Sequence, residues 1–280
     1  LLHPTYHIAD SVSELSLQTE KDLLLQVGAD FLGLAVFSPE TKKVYSWTLF
    51  HTGSPLGQAL QHEDLSTIKE QLSWLQGTFR KILFVDYTSN NSLIPLHLGL
   101  DEEKELLLKW TLGNVQDAVM MKDLIAAKDI SNYYTIPASV VHVLNQLFPS
   151  GCWWQVQSFL MAKEVADEPT LTVDIFFNEI LIGVSNKGSW LLQNKFSYKA
   201  PEDVLYHILN CIRQLNLQNE ETEVIIQGLV DEQSALARLL NQYLHKPIWK
   251  QNLSFNFPNG ETELPNHILA LTDRLLTCVS

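Results

Sequence analysis

Cysteine is scarce. Cys152, Cys211 and Cys278 are the only three, odd in number and far apart. That argues against a disulfide framework or a cysteine-rich zinc site and fits reduced thiols in a cytoplasmic protein. Basic residues are also few: 19 Lys and Arg against 32 Asp and Glu give a formal net charge of −13 without any basic run. Such a surface has nothing to neutralise a phosphate backbone and is repelled by anionic lipid, so neither nucleic acid nor a membrane surface is an expected partner. No apolar run approaches the ~18 residues a membrane span needs. The opening LLHPTYH lacks the charged start and apolar centre of a secretory signal. P-loop, GxSxG, HExxH and paired CxxC motifs are all missing. His3 and His7 have the i, i+4 spacing of a metal pair, but they sit in a proline-containing terminus expected to be irregular.

What the chain does have is apolar material, 46% of 280 residues, arranged in a recurring pattern. Leu23 to Phe50 (LLLQVGADFLGLAVFSPETKKVYSWTLF) reads as a buried strand, a tight turn, a second strand, a Ser-Pro-Glu-Thr loop and a third strand. The same pattern returns in Leu171 to Tyr198 (LTVDIFFNEILIGVSNKGSWLLQNKFSY), 148 residues later. Each copy is followed by a helix and another buried strand, KILFVDY and EVIIQG.

Between these landmarks the periodicity predicts helices over Leu56–Gln76 and from Asp101 to Gly113, the latter with an acidic first turn suited to the positive helix end. A strand at Ser92–Leu96 carries Pro95 and belongs near an edge. A strand pair spans Val119–Ala126 and Asp129–Thr135, followed by a helix headed by Pro137, a CWWQVQ strand and a short helix at Ser158–Val165. VADEPT has the acidity and proline of a linker. Beyond the second copy, Pro201, Glu202 and Asp203 open a helix whose inward stripe includes Cys211. Helices at Asp231–Leu244 and Leu264–Cys278 follow, with a short strand at Pro247–Trp249 and a loop over Gln251–Glu263 between them.

A β-β-β-α-β unit used twice predicts an α/β protein of two duplicated ribonuclease H-like domains, the layout of the actin, sugar kinase and Hsp70 superfamily, with mixed sheets flanked by helices. The expected division is 1–168, carrying an inserted subdomain near 92–150, and 169–280. The alternative from pattern alone is an unrelated α/β protein with two hairpin-rich halves.

The stretches QVGADFLGLAVFSPETKKVYSWTLF, KFSYKAPEDVLYHILNCIRQLNL and ETELPNHILAL also resemble a bacterial family best known from Bacteroidetes. Its members are similar to the pilus-assembly and cell-division actin-like ATPases. The resemblance spans nearly the whole chain and implies a fold without an established activity.

In superfamily members that hydrolyse ATP, the first hairpin carries a carboxylate two residues before a glycine. The acid positions magnesium through water, and the glycine admits phosphate to backbone N–H groups. Here Gln26 stands at the acid position, Gly28 at the glycine and Ala29 in place of a hydroxyl. The second hairpin keeps the acid as Asp174 but has Phe176 and Phe177 where glycine belongs, and the later glycine pair is reduced to Gly228-Leu229. Gly28, Asp30, Asp174 and Gly228 are therefore the expected remnants of a nucleotide cleft, crowded by the two phenylalanines, with no catalytic residue and no metal site. Asp174 has two readings, a lone metal-positioning carboxylate or a strand-end turn cap, and Asp86 faces the same choice.

The expected function is that of a non-catalytic interaction or scaffold protein in the cytoplasm, without cofactor and with a protein partner; self-association is compatible with it. The alternative is an ATP-binding actin-like ATPase using magnesium. Trp153 and Trp154, adjacent in a strand and so on opposite faces, are the expected partner contacts, with Trp47, Trp190, Tyr133 and Tyr134 raising the same question of exposure.

Overall fold

The computed structural model describes residues 4–10, 20–53, 55–56, 70, 75, 77–87, 91–98, 108, 112, 117–258 and 264–279. The chain divides into two compact units. The first comprises Leu1–Ala162 with Phe255–Glu263 and Val279–Ser280, and the second Lys163–Ser254 with Leu264–Cys278. The helices expected over Leu56–Gln76 and Asp101–Gly113 lie mostly outside the described residues.

The first unit is built on β1 (Pro4–Ala9), β2 (Asp22–Val27), β3 (Phe31–Ser38), β4 (Lys43–His51), β5 (Lys81–Asp86) and β9 (Gly151–Gln155), in the order β1-β4-β3-β2-β5-β9. The hairpin strands pair antiparallel, whereas β5 and β9 run parallel to β2. Every residue of β2 and β3 is buried, as a continuous apolar run requires. Leu23, Leu24, Leu25 and Val27 are fully enclosed, each worth about 1.5–3 kcal/mol. Asp22 is the charged exception, and Arg80 grips it with Nε at 3.0 Å and Nη2 at 2.8 Å.

Strand β1 corrects the expectation of an irregular terminus. Its segment PTYHIA is too short and too polar to announce itself. It forms because β4 would otherwise present an open row of backbone donors and acceptors. His7 Nδ1 lies 2.8 Å from Thr48 Oγ1 and burial pushes its pKa down, while His3, its expected companion, lies outside the described residues. The short edge segment that SVSELSL (residues 11–17) suggests lies outside the described residues.

A smaller antiparallel sheet, β6 (Asn91–Pro95), β7 (Ala118–Ile125) and β8 (Ile130–Pro137) in the order β6-β8-β7, lies within this unit. Helices α1 (Ala138–Leu147) and α2 (Val156–Met161) follow it in sequence. The second begins two residues before its expected start, because the Gln155 side chain accepts the Gln157 N–H at 2.6 Å and caps the helix there. Part of the expected loop after residue 251 also pairs: Val44 donates to Asn256 O at 2.8 Å, and Phe255 packs edge-on against Phe37.

The second unit contains β10 (Thr170–Ile175), β11 (Glu179–Asn186), β12 (Ser189–Ser197), β13 (Glu223–Gly228) and β14 (Ile248–Trp249), in the order β12-β11-β10-β13-β14. Helices α3 (Pro201–Gln214), α4 (Ala235–Tyr243) and α5 (Asn266–Val279) complete it. Asp203 starts α3 as expected, its Oδ2 accepting the N–H of Lys199 and of Ala200, which lowers its pKa. Cys211 is buried, Cys152 exposed and Cys278 half-buried, all three as free thiols.

The two main sheets agree in detail. The order β4-β3-β2-β5 matches β12-β11-β10-β13. The last pairs before the turns are Val27↔Leu32 and Ile175↔Ile180, so both hairpins enclose four residues. A β-bulge falls between Val36 and Phe37 in one and between Val184 and Ser185 in the other. This register places Gln26 with Asp174, Gly28 with Phe176, and Asp86 with Gly228.

Candidate functional site

Ligands of open α/β sheets meet the carboxyl ends of parallel strands, so the two places of interest are the ends of β2 and β5 and of β10 and β13. In the first unit the turn is closed by Gly28 N–H donating to Phe31 O at 2.9 Å. That closure folds the Phe31 ring back over the glycine. A Cβ built on Gly28 would lie 2.1 Å from Phe31 Cδ1 and Cε1. The ring is buried and meets Tyr87 edge-on at 5.5 Å. Gln26, also buried, donates from Nε2 to the Tyr87 hydroxyl at 3.0 Å. Asp30 lies at the outer side of the turn, with Oδ2 3.3 Å from His51 Nε2, and its carbonyl accepts the Thr52 N–H.

In the second unit Asp174 is buried and neither caps a turn nor faces solvent. Gln227 Nε2 donates to its Oδ1, and Arg274 Nη1 from α5 reaches Oδ2 at 3.1 Å and Oδ1 at 3.5 Å. Burial pushes the Asp174 pKa up, while Arg274 and Gln227 pull it back down, with a net rise. Phe176 closes the turn by donating to Glu179 O at 2.8 Å, and its carbonyl accepts the Tyr198 hydroxyl at 2.6 Å. Both Phe176 and Phe177 are half-buried. Gly228 has φ +100°, and a Cβ there would meet Ile175 O at 2.2 Å.

A third polar group was not foreseen from the sequence. Asp123 on β7 accepts the Tyr134 hydroxyl at 3.0 Å and the Gln155 N–H at 2.8 Å, and Asn132 Nδ2 donates to Ser158 Oγ at 2.8 Å. Asp123 thus caps the backbone of β9 and ties the small sheet to the main one. Neither Asp123 nor Asp174 belongs to a ligand cluster: no group of three potential metal ligands occurs among the described residues.

Trp153 and Trp154 do point to opposite faces, and each is half-buried. Trp153 packs 4.7 Å from the Phe84 ring and donates to Asn145 Oδ1, while Trp154 packs 5.1 Å from Phe159. Trp47, Tyr133 and Tyr134 are buried and Trp190 is half-buried.

No helix among the described residues is long and apolar enough to cross a membrane. No curated protein matches this sequence. Solved structures do share its fold. A Bacteroides thetaiotaomicron protein with actin-like ATPase fold and unknown function aligns at TM-score 0.73 and 17% identity, over 95% of this chain and 98% of that one. The PilM–PilN type IV pilus biogenesis complex supplies a second likeness, at TM-score 0.58 and 15% identity over 92% and 98%. A third is the ethanolamine utilization protein EutJ from Carboxydothermus hydrogenoformans, at TM-score 0.50 and 9% identity over 93% and 91%. At these identities the likeness establishes the actin-like ATPase fold. The model described as "Protein of unknown function (DUF3822)" matches residues 11–246, and the chain belongs to this family.

Proposed function

We propose that this chain is a non-catalytic interaction or scaffold protein of the cytoplasm, built from two duplicated actin-like domains whose nucleotide site is vestigial. The observation that carries the reading is the Phe31 ring lying on Gly28. A hairpin glycine serves phosphate only if its open side admits an anion, and here that side is filled by a buried aromatic ring. The acid position beside it is an amide satisfied by a tyrosine hydroxyl. The acid that survives in the second unit is matched by an arginine. These residues do not fit a magnesium–nucleotide complex.

A protein partner suits the fold, since one of the likenesses is to a protein captured in complex with another, PilM with PilN. We assign the partner surface to edge strand β9, where Cys152 is exposed and the outer halves of Trp153 and Trp154 remain open. Thermal denaturation with increasing ATP and magnesium tests the reading. The apparent Tm is expected to stay within ~1 °C of the unliganded protein up to millimolar nucleotide. A saturable rise that disappears in Asp174→Ala would sink it.

A further inference from the structure

Arg274 has no counterpart in the sequence expectations for the second sheet. It sits on α5 among Ala270, Leu271, Leu275 and Leu276, all buried, where a guanidinium is costly unless it is paired. Its partner Asp174 lies inside the sheet, where a carboxylate needs both hydrogen bonds and a counter-charge. Gln227, in register on the neighbouring strand, supplies the hydrogen bond, and Arg274 supplies the charge. The equivalent position in the first unit, Gln26, carries no charge, and its amide meets a tyrosine hydroxyl instead. One unit thus holds a neutral amide at this position, and the other an acid matched by a cation from its own chain.

We propose that the Arg274 guanidinium is the resident cation of this sheet end, making α5 an intramolecular ligand of Asp174 in the place where the fold's ATP-hydrolysing members use a divalent ion. This rests on the reading of the nucleotide site as vestigial. It adds that the acid is retained to anchor the C-terminal helix and that the second unit is indifferent to divalent metal.

Chemical rescue in the full chain, without nucleotide, tests this. Arg274→Ala is expected to lower the apparent Tm by roughly 5 °C. At least half of that loss should return with about 10 mM magnesium or ethylguanidinium, against choline at equal ionic strength. Wild type and the Asp174→Asn, Arg274→Ala double variant should respond to neither cation. An Arg274→Ala protein that folds and is rescued by neither would overturn the proposal, as would rescue that persists in the double variant. If Arg274→Ala does not fold, the uncharged pair Asp174→Asn, Arg274→Met decides. A folded protein close to wild type upholds the proposal, and one that is also unfolded overturns it. ATP binding by wild type would defeat the non-catalytic reading, whereas absent rescue defeats only this one.

Discussion

Replacing Gly228 with alanine is expected to cost about 4 kcal/mol, read as a fall of roughly 10 °C in apparent Tm. Two effects combine. The residue has φ +100°, beyond the region that L side chains reach easily, which costs on the order of 1–3 kcal/mol. The new Cβ would also lie 2.2 Å from the carbonyl oxygen and 2.6 Å from the nitrogen of Ile175. Those are backbone atoms of β10, paired in register with β13, so nothing can rotate away and the strands themselves must part. Gly53 is the control. It has φ +65° but open space around its Cα, so Gly53→Ala should cost only about 1 kcal/mol. Urea denaturation of both variants separates two accounts of Gly228. If it is a glycine because two strands touch, its substitution costs several times that of Gly53. Equal costs would return Gly228 to the ligand-based account that sequence motifs favour.

That distinction runs through the whole comparison of sequence with structure. The hairpins of both units were legible because a buried strand is written in its own residues: LLLQV and FLGLAVF are continuous apolar runs, and periodicity needs no partner to be seen. Strand β1 was not, because PTYHIA becomes a strand only through its pairing with β4. The polar interruptions were visible too. Gln26 and Gln227 stand out in apolar strands, but what they touch is set by the fold: Tyr87 is 61 residues from Gln26, and Arg274 is 100 residues from Asp174. The sequence places Phe176 and Phe177 as the rings crowding a phosphate turn. In the first unit it is Phe31 that covers a glycine, three residues on from Gly28, because the hydrogen bond closing a four-residue turn folds that side chain back. Adjacent tryptophans on one strand must face opposite ways, and they do. How deeply each sinks depends on Phe84 and Phe159, which no local pattern names.

The second large effect is expected at Asp123. Truncation to alanine removes the acceptor for the Tyr134 hydroxyl, for the Gln155 N–H and for the Ser158 hydroxyl, leaving three buried donors without that partner. At about 1–3 kcal/mol for each, less what is regained by no longer burying a carboxylate, the net cost should be about 3 kcal/mol. The acid itself gives the experiment a sign. Burial raises the Asp123 pKa above its ordinary 3.8, and the hydrogen bonds from Gln155, Ser158 and Tyr134 only partly counteract this. The folded chain therefore takes up this proton more readily than the unfolded one. Its contribution to stability is complete below the unfolded pKa and is lost as pH rises through the folded value. Asp123→Asn preserves the shape and cannot titrate. The Tm difference in favour of wild type should therefore widen as pH falls from ~7 toward ~4, and alanine should be worse than asparagine throughout. A difference that narrows on acidification would mean that the network stabilises the anion, and that Asp123 holds β9 as a charge. Widening would mean that the clamp joining the small sheet to the strand bearing Trp153 and Trp154 is stronger with Asp123 protonated.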